Sequence, residues 1–308
     1  MVDGVAVLGA LSPSRAGDFK TCPLLFRYRT IDKLPERPSP AALRGTVIHK
    51  VLEDLFDLPA AQRTPEQADA MIRSAWEVVH ASEPAVEALF EGDSDALEAW
   101  LEGARPVLQR YFDLEDPSRI EPAEREAYVE ALLDSKLLLR GVIDRIDVAP
   151  DGAIRVNDYK SGPAPGESFE ARALFQLRFY ALVIWRSRGV IPEVLRLIYL
   201  GSTEMLSYSP DEKDLLATER LVQALWEAIR TAQVTGEWLP QKGFGCQWCS
   251  FQAHCPEYGG AILPLPDPKV REVAGAQAEE GVGEHPALAV QHGDVVGHDQ
   301  HGAASGLG

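Results

Sequence analysis

Asp144, Asp158 and Lys160 fall within one stretch, Gly141 to Lys160, whose side chains suit a hard cation. Asp158 and Lys160 stand two apart in a segment of alternating polarity, so in a strand they share a face, with Tyr159 on the other. Asp144 belongs to a preceding segment of the same kind and can face them across a ladder. Two carboxylates and an ammonium on one sheet face are costly unless something uses them. Carboxylate oxygens suit Mg²⁺ or Mn²⁺. The plainer alternative is a solvated strand face with an ordinary salt bridge. His49 supplies an imidazole four residues after Gly45, hence on the same helix face; alone, such a histidine reads as a satisfied core residue. Gln176 and Tyr180 are also four apart on one helix face, and a buried amide–phenol hydrogen bond accounts for them equally well.

A second constellation is made of sulfur. The chain has four cysteines: Cys22, then Cys246, Cys249 and Cys255 in a C-x2-C-x5-C cluster. In a cytosolic chain structural disulfides are disfavoured. Four thiolates suit tetrahedral Zn²⁺ or a [4Fe–4S] cluster. Zinc sites usually pair two close knuckles, and the one-plus-three split favours iron–sulfur; His254 could also substitute in a zinc site. Either centre would tie the N-terminal segment to the C-terminal one, and its binding energy becomes folding energy.

The elements that must position these residues are legible. Val142–Val148 and Ile154–Lys160 are Val/Ile-rich and alternating, and Pro150-Asp151-Gly152 between them is turn chemistry, so a hairpin is expected. A strand over Glu126–Leu133, turning at Asp134-Ser135, precedes it in an antiparallel meander. Ser12 and Pro13 open a helix. A helix over about Pro40–Phe56 carries Val47, Ile48, Val51, Leu52 and Leu55 as its apolar stripe and presents Gly45 and His49. A helix glycine costs about 1 kcal/mol against alanine, so Gly45 is expected to mark a close approach. Residues 60–115 read as an acidic helical region without a catalytic constellation, its charges a solvated face. Gly162, Pro163, Pro165 and Gly166 form a loop, then a helix spans about Phe169–Ser187. An apolar strand follows over Val194–Leu200, a polar one near Glu204–Ser209, and a helix capped at Ser209-Pro210 running to about Gln233.

The 308 residues carry a formal net charge of −17, which at first sight argues against nucleic acid. The charge is uneven. Residues 53–103 hold 13 acids and 2 bases, and residues 261–308 hold 7 acids and 2 bases, so the rest is close to neutral. Arg15, Lys20, Arg27, Arg29, Lys33, Arg37 and Arg44 stand against 3 acids in residues 15–44, and a local basic surface is expected there. No apolar run reaches membrane-spanning length and no secretory signal opens the chain, so a cytoplasmic protein is expected. From about residue 265 the chain turns Gly-, Ala-, Pro- and His-rich and reads as a disordered tail; His285, His292, His298 and His301 are scattered in it.

Taken in order, Gly45-x-x-x-His49, Gly141-x-x-Asp144, Asp158-x-Lys160, Gln176-x-x-x-Tyr180 and the one-plus-three cysteines resemble the RecB-like exonuclease branch of the PD-(D/E)xK nuclease superfamily. The cysteine pattern resembles its iron–sulfur members, which include AddB-like nucleases and those associated with CRISPR adaptation. The likeness covers about residues 11–258. It implies a restriction-endonuclease-like α/β (α+β) core, a mixed sheet flanked by helices, in a domain over residues 1–264. The acidic helices about 60–115 would be an insertion and residues 240–258 would be joined to Cys22. It implies His49, Asp144 and Asp158 as side-chain metal ligands, with the Tyr159 carbonyl also on the metal, and Lys160 as the catalytic lysine. Gln176 and Tyr180 would place DNA and support the site. Glu126 lies where many members carry an acid. Cys22, Cys246, Cys249 and Cys255 would hold the [4Fe–4S] cluster.

The activity so implied is Mg²⁺- or Mn²⁺-dependent exonucleolytic hydrolysis of DNA, on single strands or duplex ends, in repair or recombination; a CRISPR-adaptation role is the alternative pathway. No P-loop motif occurs, so any helicase would be a partner chain. The competing classes are a catalytically silent, metal-stapled DNA-binding module and a structural zinc protein.

Overall fold

The computed structural model describes residues 7–266, apart from 37–38, 83–85, 87–88, 91 and 165–166. The tail from 267 onward, with its histidines, lies outside the described residues, as do Arg37, Pro165 and Gly166.

Six strands form one mixed sheet: β1 (Gly9–Leu11), β2 (Glu124–Leu132), β3 (Leu137–Val148), β4 (Ile154–Lys160), β5 (Val194–Tyr199) and β6 (Glu204–Tyr208). The meander β2-β3-β4 is antiparallel, as its short turns require. In the β3–β4 turn the Gly152 N–H donates to the Ala149 carbonyl at 2.8 Å, and Gly152 takes φ +89°. That conformation favours glycine. The next connection is a helix, α7 (Glu167–Arg188), and it returns the chain parallel to β4 as β5. β6 closes the sheet antiparallel to β5.

The three-residue β1 was not legible in the sequence. It pairs parallel with Leu137–Leu139 of β3, while β4 pairs with Arg145–Val148. β2 occupies the opposite edge of β3. The β3 edge between its two partners, Arg140–Asp144, is therefore a notch in the sheet.

Each face of the sheet carries its own core. One holds Val156, Leu195 and Leu197 against α1 (Pro13–Thr21), α2 (Pro23–Phe26), α7 and α8 (Glu212–Thr235). The other holds Tyr159, Ile198 and Leu200 against α3 (Pro40–Leu55), α4 (Pro65–Ser82), α5 (Ser94–Glu102) and α6 (Arg105–Leu114). The alternation along β5 sends neighbours to opposite cores, which is why that strand reads as a continuous apolar run. The stripe expected on α3 is the buried one: Val47, Ile48, Val51, Leu52 and Leu55 are all 0% exposed. The acidic 60–115 region is helical, and its charges flank buried Ile72, Trp76, Trp100 and Tyr111.

Local expectations need two corrections. The last helix is capped by Asp211, not Ser209. Asp211 accepts from the Asp214 N–H at 2.8 Å, and Asp214 accepts from the Asp211 N–H at 3.2 Å. This reciprocal box outcompetes a serine cap followed by proline. The basic 15–44 segment is only partly an open cationic surface: Lys20 and Lys33 are exposed, but two of its arginines are engaged. Arg27 is 2% exposed, pairs with Asp32, and donates to the carbonyls of Leu263 and Pro264. Arg29 is held by Asp18 and Glu36. Local acids neutralise these two arginines.

Candidate active site

The hairpin and α3 bring the sequence-predicted residues together. Asp144, on β3, accepts from the Tyr159 backbone N–H at 2.6 Å through Oδ2. Its Oδ1 lies 3.4 Å from His49 Nδ1. The other imidazole nitrogen, Nε2, is 3.1 Å from the Tyr159 carbonyl oxygen. His49 reaches this point because α3 packs its apolar stripe on the sheet face that carries Tyr159. Gly45 lets the helix come close: a Cβ there would sit 2.9 Å from Ser161 Oγ, just past the end of β4.

Glu126 completes the group. Ligand atoms of His49, Glu126 and Asp144 lie within 4.8 Å of one another. Glu126 takes φ +41°, a left-handed conformation that costs a glutamate roughly 1–3 kcal/mol and is kept where the surroundings fix it.

Asp158 stands beside this group. It is 2% exposed, its carboxylate is ion-paired with Lys160, and it accepts from Gln176 Nε2 at 2.9 Å. Gln176 in turn accepts from Lys160 Nζ at 3.1 Å and donates to Tyr180 OH at 3.2 Å. The amide–phenol bond therefore exists, but as part of a chain that ends on two charged groups. Among the described residues, the compact set is His49, Glu126 and Asp144, and Asp158 adjoins it.

The electrostatics of the site are dominated by its carboxylates. Burial, and then the negative charge of Asp144, raise Glu126 to about 7 and Asp158 to about 6. Burial alone would lower His49, but Asp144 outweighs it and lifts the imidazole to about 9. A protonated imidazole donates from both nitrogens, to Asp144 and to the Tyr159 carbonyl. Without metal, that proton supplies the positive charge the carboxylates need. An imidazole and two carboxylates are a donor set for a divalent ion of intermediate hardness, so the residues fit such a group.

Behind the site lies a buried polar cluster that sequence reasoning missed. Arg145, 0% exposed, donates to both oxygens of Glu115, to Asp147 and to Tyr159 OH. Asn157 also donates to Asp147, at 2.8 Å. The cluster anchors the Tyr159 ring on the face opposite Asp158 and so fixes the backbone whose N–H and C=O meet Asp144 and His49. The signal available was Arg145 and Asp147, opposite charges two apart on one strand. Their partner Glu115 lay in the acidic stretch read as solvated.

The site opens into a cavity of about 830 Å³ lined by Gly45, His49, Glu126, Lys160 and Gln176, with Val78 and Val79 of α4 as one wall. The four cysteines line a separate cavity of about 580 Å³ between α1–α2 and residues 240–258. There the Gln241 N–H points at Cys22 Sγ at 3.4 Å and the Gly243 N–H at Cys246 Sγ at 3.2 Å.

A profile of the PD-(D/E)XK nuclease superfamily matches residues 10–256. The Gene 69 protein of Mycobacterium phage D29 is 29% identical over 203 residues, covering 58% of this chain and 70% of that protein. An ATP-dependent helicase/deoxyribonuclease subunit from Streptococcus mutans is 29% identical over 119 residues, 38% of this chain but 10% of that much longer protein. A solved structure of a protein provisionally named an exonuclease, from Eubacterium rectale, shares the fold. Its TM-score is 0.54 at 13% identity, over 87% of this chain and 94% of that one. Among the described residues no helix is long and apolar enough to cross a membrane. With the superfamily profile spanning both the hairpin and the helices that complete its site, the chain belongs to the PD-(D/E)XK nuclease superfamily, and its core is that of a DNA nuclease.

Proposed function

We propose that the chain is a divalent-metal-dependent exodeoxyribonuclease, with Mg²⁺ or Mn²⁺ held by His49, Glu126 and Asp144 and adjoined by Asp158 and the Tyr159 carbonyl. The observation that carries the reading is the convergence of His49, Glu126 and Asp144 within 4.8 Å beside the Lys160–Asp158 pair. A bound divalent cation supplies Lewis-acid neutralisation of phosphoryl charge. The chain's own residues do the rest. Lys160 positions the attacking water and offsets the charge that develops on the phosphoryl oxygens. Asp158 holds the Lys160 ammonium, and Gln176 fixes both by donating to one and accepting from the other. Tyr180 continues that chain toward the notch in the sheet.

Buried charge retained around one cavity supports an active enzyme over a silent DNA-binding module, because buried charge costs desolvation that a silent site has no reason to keep. The RecB-like, iron–sulfur placement rests on the cysteine pattern: four thiols line one cavity and two of them receive backbone N–H groups, as sulfur ligands of a cluster do. Zn²⁺ is the alternative occupant, and the one-plus-three spacing favours [4Fe–4S]. The role would be a cytoplasmic one in repair or recombination, and the likeness to a helicase/deoxyribonuclease subunit supports a helicase partner on another chain.

The test is cleavage of end-labelled single- and double-stranded DNA with and without EDTA. Metal-dependent loss of label from the wild type, abolished in Lys160→Ala and Asp144→Ala, is expected. Wild-type-like cleavage by either variant removes the site assignment.

A further inference from the structure

The cavity at the metal site has two unlike ends. α3 lines it along one stripe: Ala42, Thr46, His49 and Glu53 stand three or four apart and so share a face. The metal set and Lys160 make one end charged. At the other, the start of α3 offers the small, exposed Ala42 and Thr46. Trp100 Nε1 donates to the Pro40 carbonyl at 3.2 Å, and its ring packs edge-on against Trp76 with centroids 5.5 Å apart. The last turns of α4 therefore stand beside the start of α3. There Val78 and Val79, each three or four residues before Ser82, line the cavity with it.

Val79 is buried in the core beneath, but Val78 is 53% exposed. A lone exposed valine needs no explanation; this one is the wall of a cavity whose far end suits phosphate. The α4 wall itself does not. Val78, Val79 and Ser82 offer no cation, Ser82 Oγ is spent on the Val79 carbonyl at 2.8 Å, and the neighbouring Glu77 is an exposed acid. Lys50, also on the lining, is held by Glu53 at 3.0 Å and by Asp54 at 2.8 Å. The phosphate of a bound substrate is thus confined to the metal end, and an uncharged group is left for the valine wall. A nucleotide divides in this way, into a charged phosphate and a base with uncharged faces. The cavity volume, about 830 Å³, lies in the range that encloses one small molecule.

We propose that this cavity is a single-nucleotide pocket: the terminal base of an unpaired DNA strand packs on Val78 while its phosphate lies at the metal end. It rests on the nuclease reading and names the substrate class of that site, single-stranded ends. A base lies against a side chain only when it is out of its stack, and taking it out costs a few kcal/mol in a duplex and least where it is already unpaired. The acidic helical region then has a use beyond solubility. α4 supplies the base wall, and its acids turn the phosphates toward the metal.

The experiment is fluorescence anisotropy on the full chain, with Ca²⁺ in place of Mn²⁺. The probes are a labelled oligothymidylate, the same strand with abasic residues at both termini, and a blunt duplex of that length closed by G·C pairs. Val78→Ala should weaken oligothymidylate binding about fivefold, the loss of two partly buried methyl groups. Val78→Leu keeps the apolar contact and should keep the affinity. The wild type should bind the abasic-ended strand more weakly than oligothymidylate, and Val78→Ala should weaken neither that strand nor the duplex further. A merely structural role for Val78 would weaken all the probes alike. Equal weakening of the probes by Val78→Ala, or wild-type binding indifferent to the missing terminal bases, overturns the pocket. Cleavage by the wild type in Mn²⁺ is a separate arm: its absence removes the nuclease reading, while the binding comparison still decides the pocket.

Discussion

Gln176 donates its amide N–H to Asp158 Oδ1 at 2.9 Å, so a helix side chain on α7 sets the orientation of a carboxylate on β4. The same amide accepts from Lys160, and its two ends can satisfy this pair in one orientation only. A hydrogen bond to a charged group is worth about 1.5–3 kcal/mol. Gln176→Ala should therefore lower the cleavage rate about 10- to 100-fold. Gln176→Glu should be worse, because it loses the donor and adds a negative charge beside Asp158. That charge moves the Asp158 pKa further above about 6, so the acidic limb of the pH–rate profile should shift to higher pH. Single-turnover cleavage at several pH values tests both outcomes.

Metal uptake should displace protons. His49 holds one up to about pH 9, Glu126 to about 7 and Asp158 to about 6, while metal ligation needs the deprotonated groups. Mn²⁺ affinity should therefore rise with pH between about 6 and 9, with proton release visible by calorimetry in buffers of different ionisation heat. The stability of the metal-free chain should move the other way. All three folded-state pKa values are raised, so these groups stabilise the folded form at low pH. That contribution is lost as pH rises from the carboxylate range through about 9. Each kcal/mol so lost lowers Tm by about 2–4 °C in a chain of this size. Mn²⁺ should restore the Tm at high pH. An apo Tm that rises across this range would contradict the electrostatics.

The two motif glycines should respond differently to alanine. At Gly141 a Cβ would lie 2.7 Å from Tyr180 Cε1, part of a rigid ring that is 6% exposed. Overpacking of this kind costs about 1–3 kcal/mol, and here it also displaces the phenol bonded to Gln176. Gly141→Ala should lower both Tm and cleavage. At Gly45 the obstacle is the end of the Ser161 side chain, which can turn away. Gly45→Ala should be milder, and Ser161→Ala should relieve it. Thermal melts of the two single variants and the pair decide this.

These glycines also mark how far the sequence could be read. Gly45 was legible as a close approach because a glycine inside a strongly periodic helix needs a reason. The hairpin was legible from Pro150-Asp151-Gly152, since turn chemistry is local. Asp144, Asp158, Lys160, Gln176 and Tyr180 were legible because short spacings on known elements fix which side chains can meet. What was not legible depends on long-range pairing. β1 has too few residues to show periodicity, and its parallel partner lies far along the chain. That Gln176 reaches across to Asp158 and Lys160 at once is also something spacing alone does not encode. Glu115 looked like one more acid on a solvated helix until α6 carried it to Arg145.

That buried cluster should be costly to break. Removing Arg145 leaves Glu115 and Asp147, 8% exposed each, without their main partner. Breaking a buried pair by deleting one side costs about 3–5 kcal/mol. Arg145→Ala should shift the urea midpoint accordingly and also release the Tyr159 ring, loosening the backbone that meets His49 and Asp144. Glu115→Gln, which keeps hydrogen-bonding atoms and volume, should cost less in stability. A variant at Arg145 with an unchanged urea midpoint would show that the cluster anchors nothing.

The cysteine cavity should carry the last measurable signature. Burial pushes the Cys249 thiol up, and the neighbouring Cys22, Cys246 and Cys255 push it the same way, so a cation among the sulfurs would favour its thiolate. The Gln241 and Gly243 N–H groups are already aimed at two of the sulfurs. Anaerobic purification should give a brown protein with about four irons per chain, the complement of a cubane held by four thiolates. Cys249→Ser should bleach it. Because Cys22 sits between α1 and α2 and the other three lie beyond α8, losing the centre removes a tie between the two ends of the described chain. The Tm should fall even if the catalytic residues are untouched, since metal-binding energy at such a site is folding energy. A colourless protein with stoichiometric zinc would replace the cluster by a zinc staple and leave the nuclease assignment standing, because His49 and Glu126 line a different cavity from the four thiols.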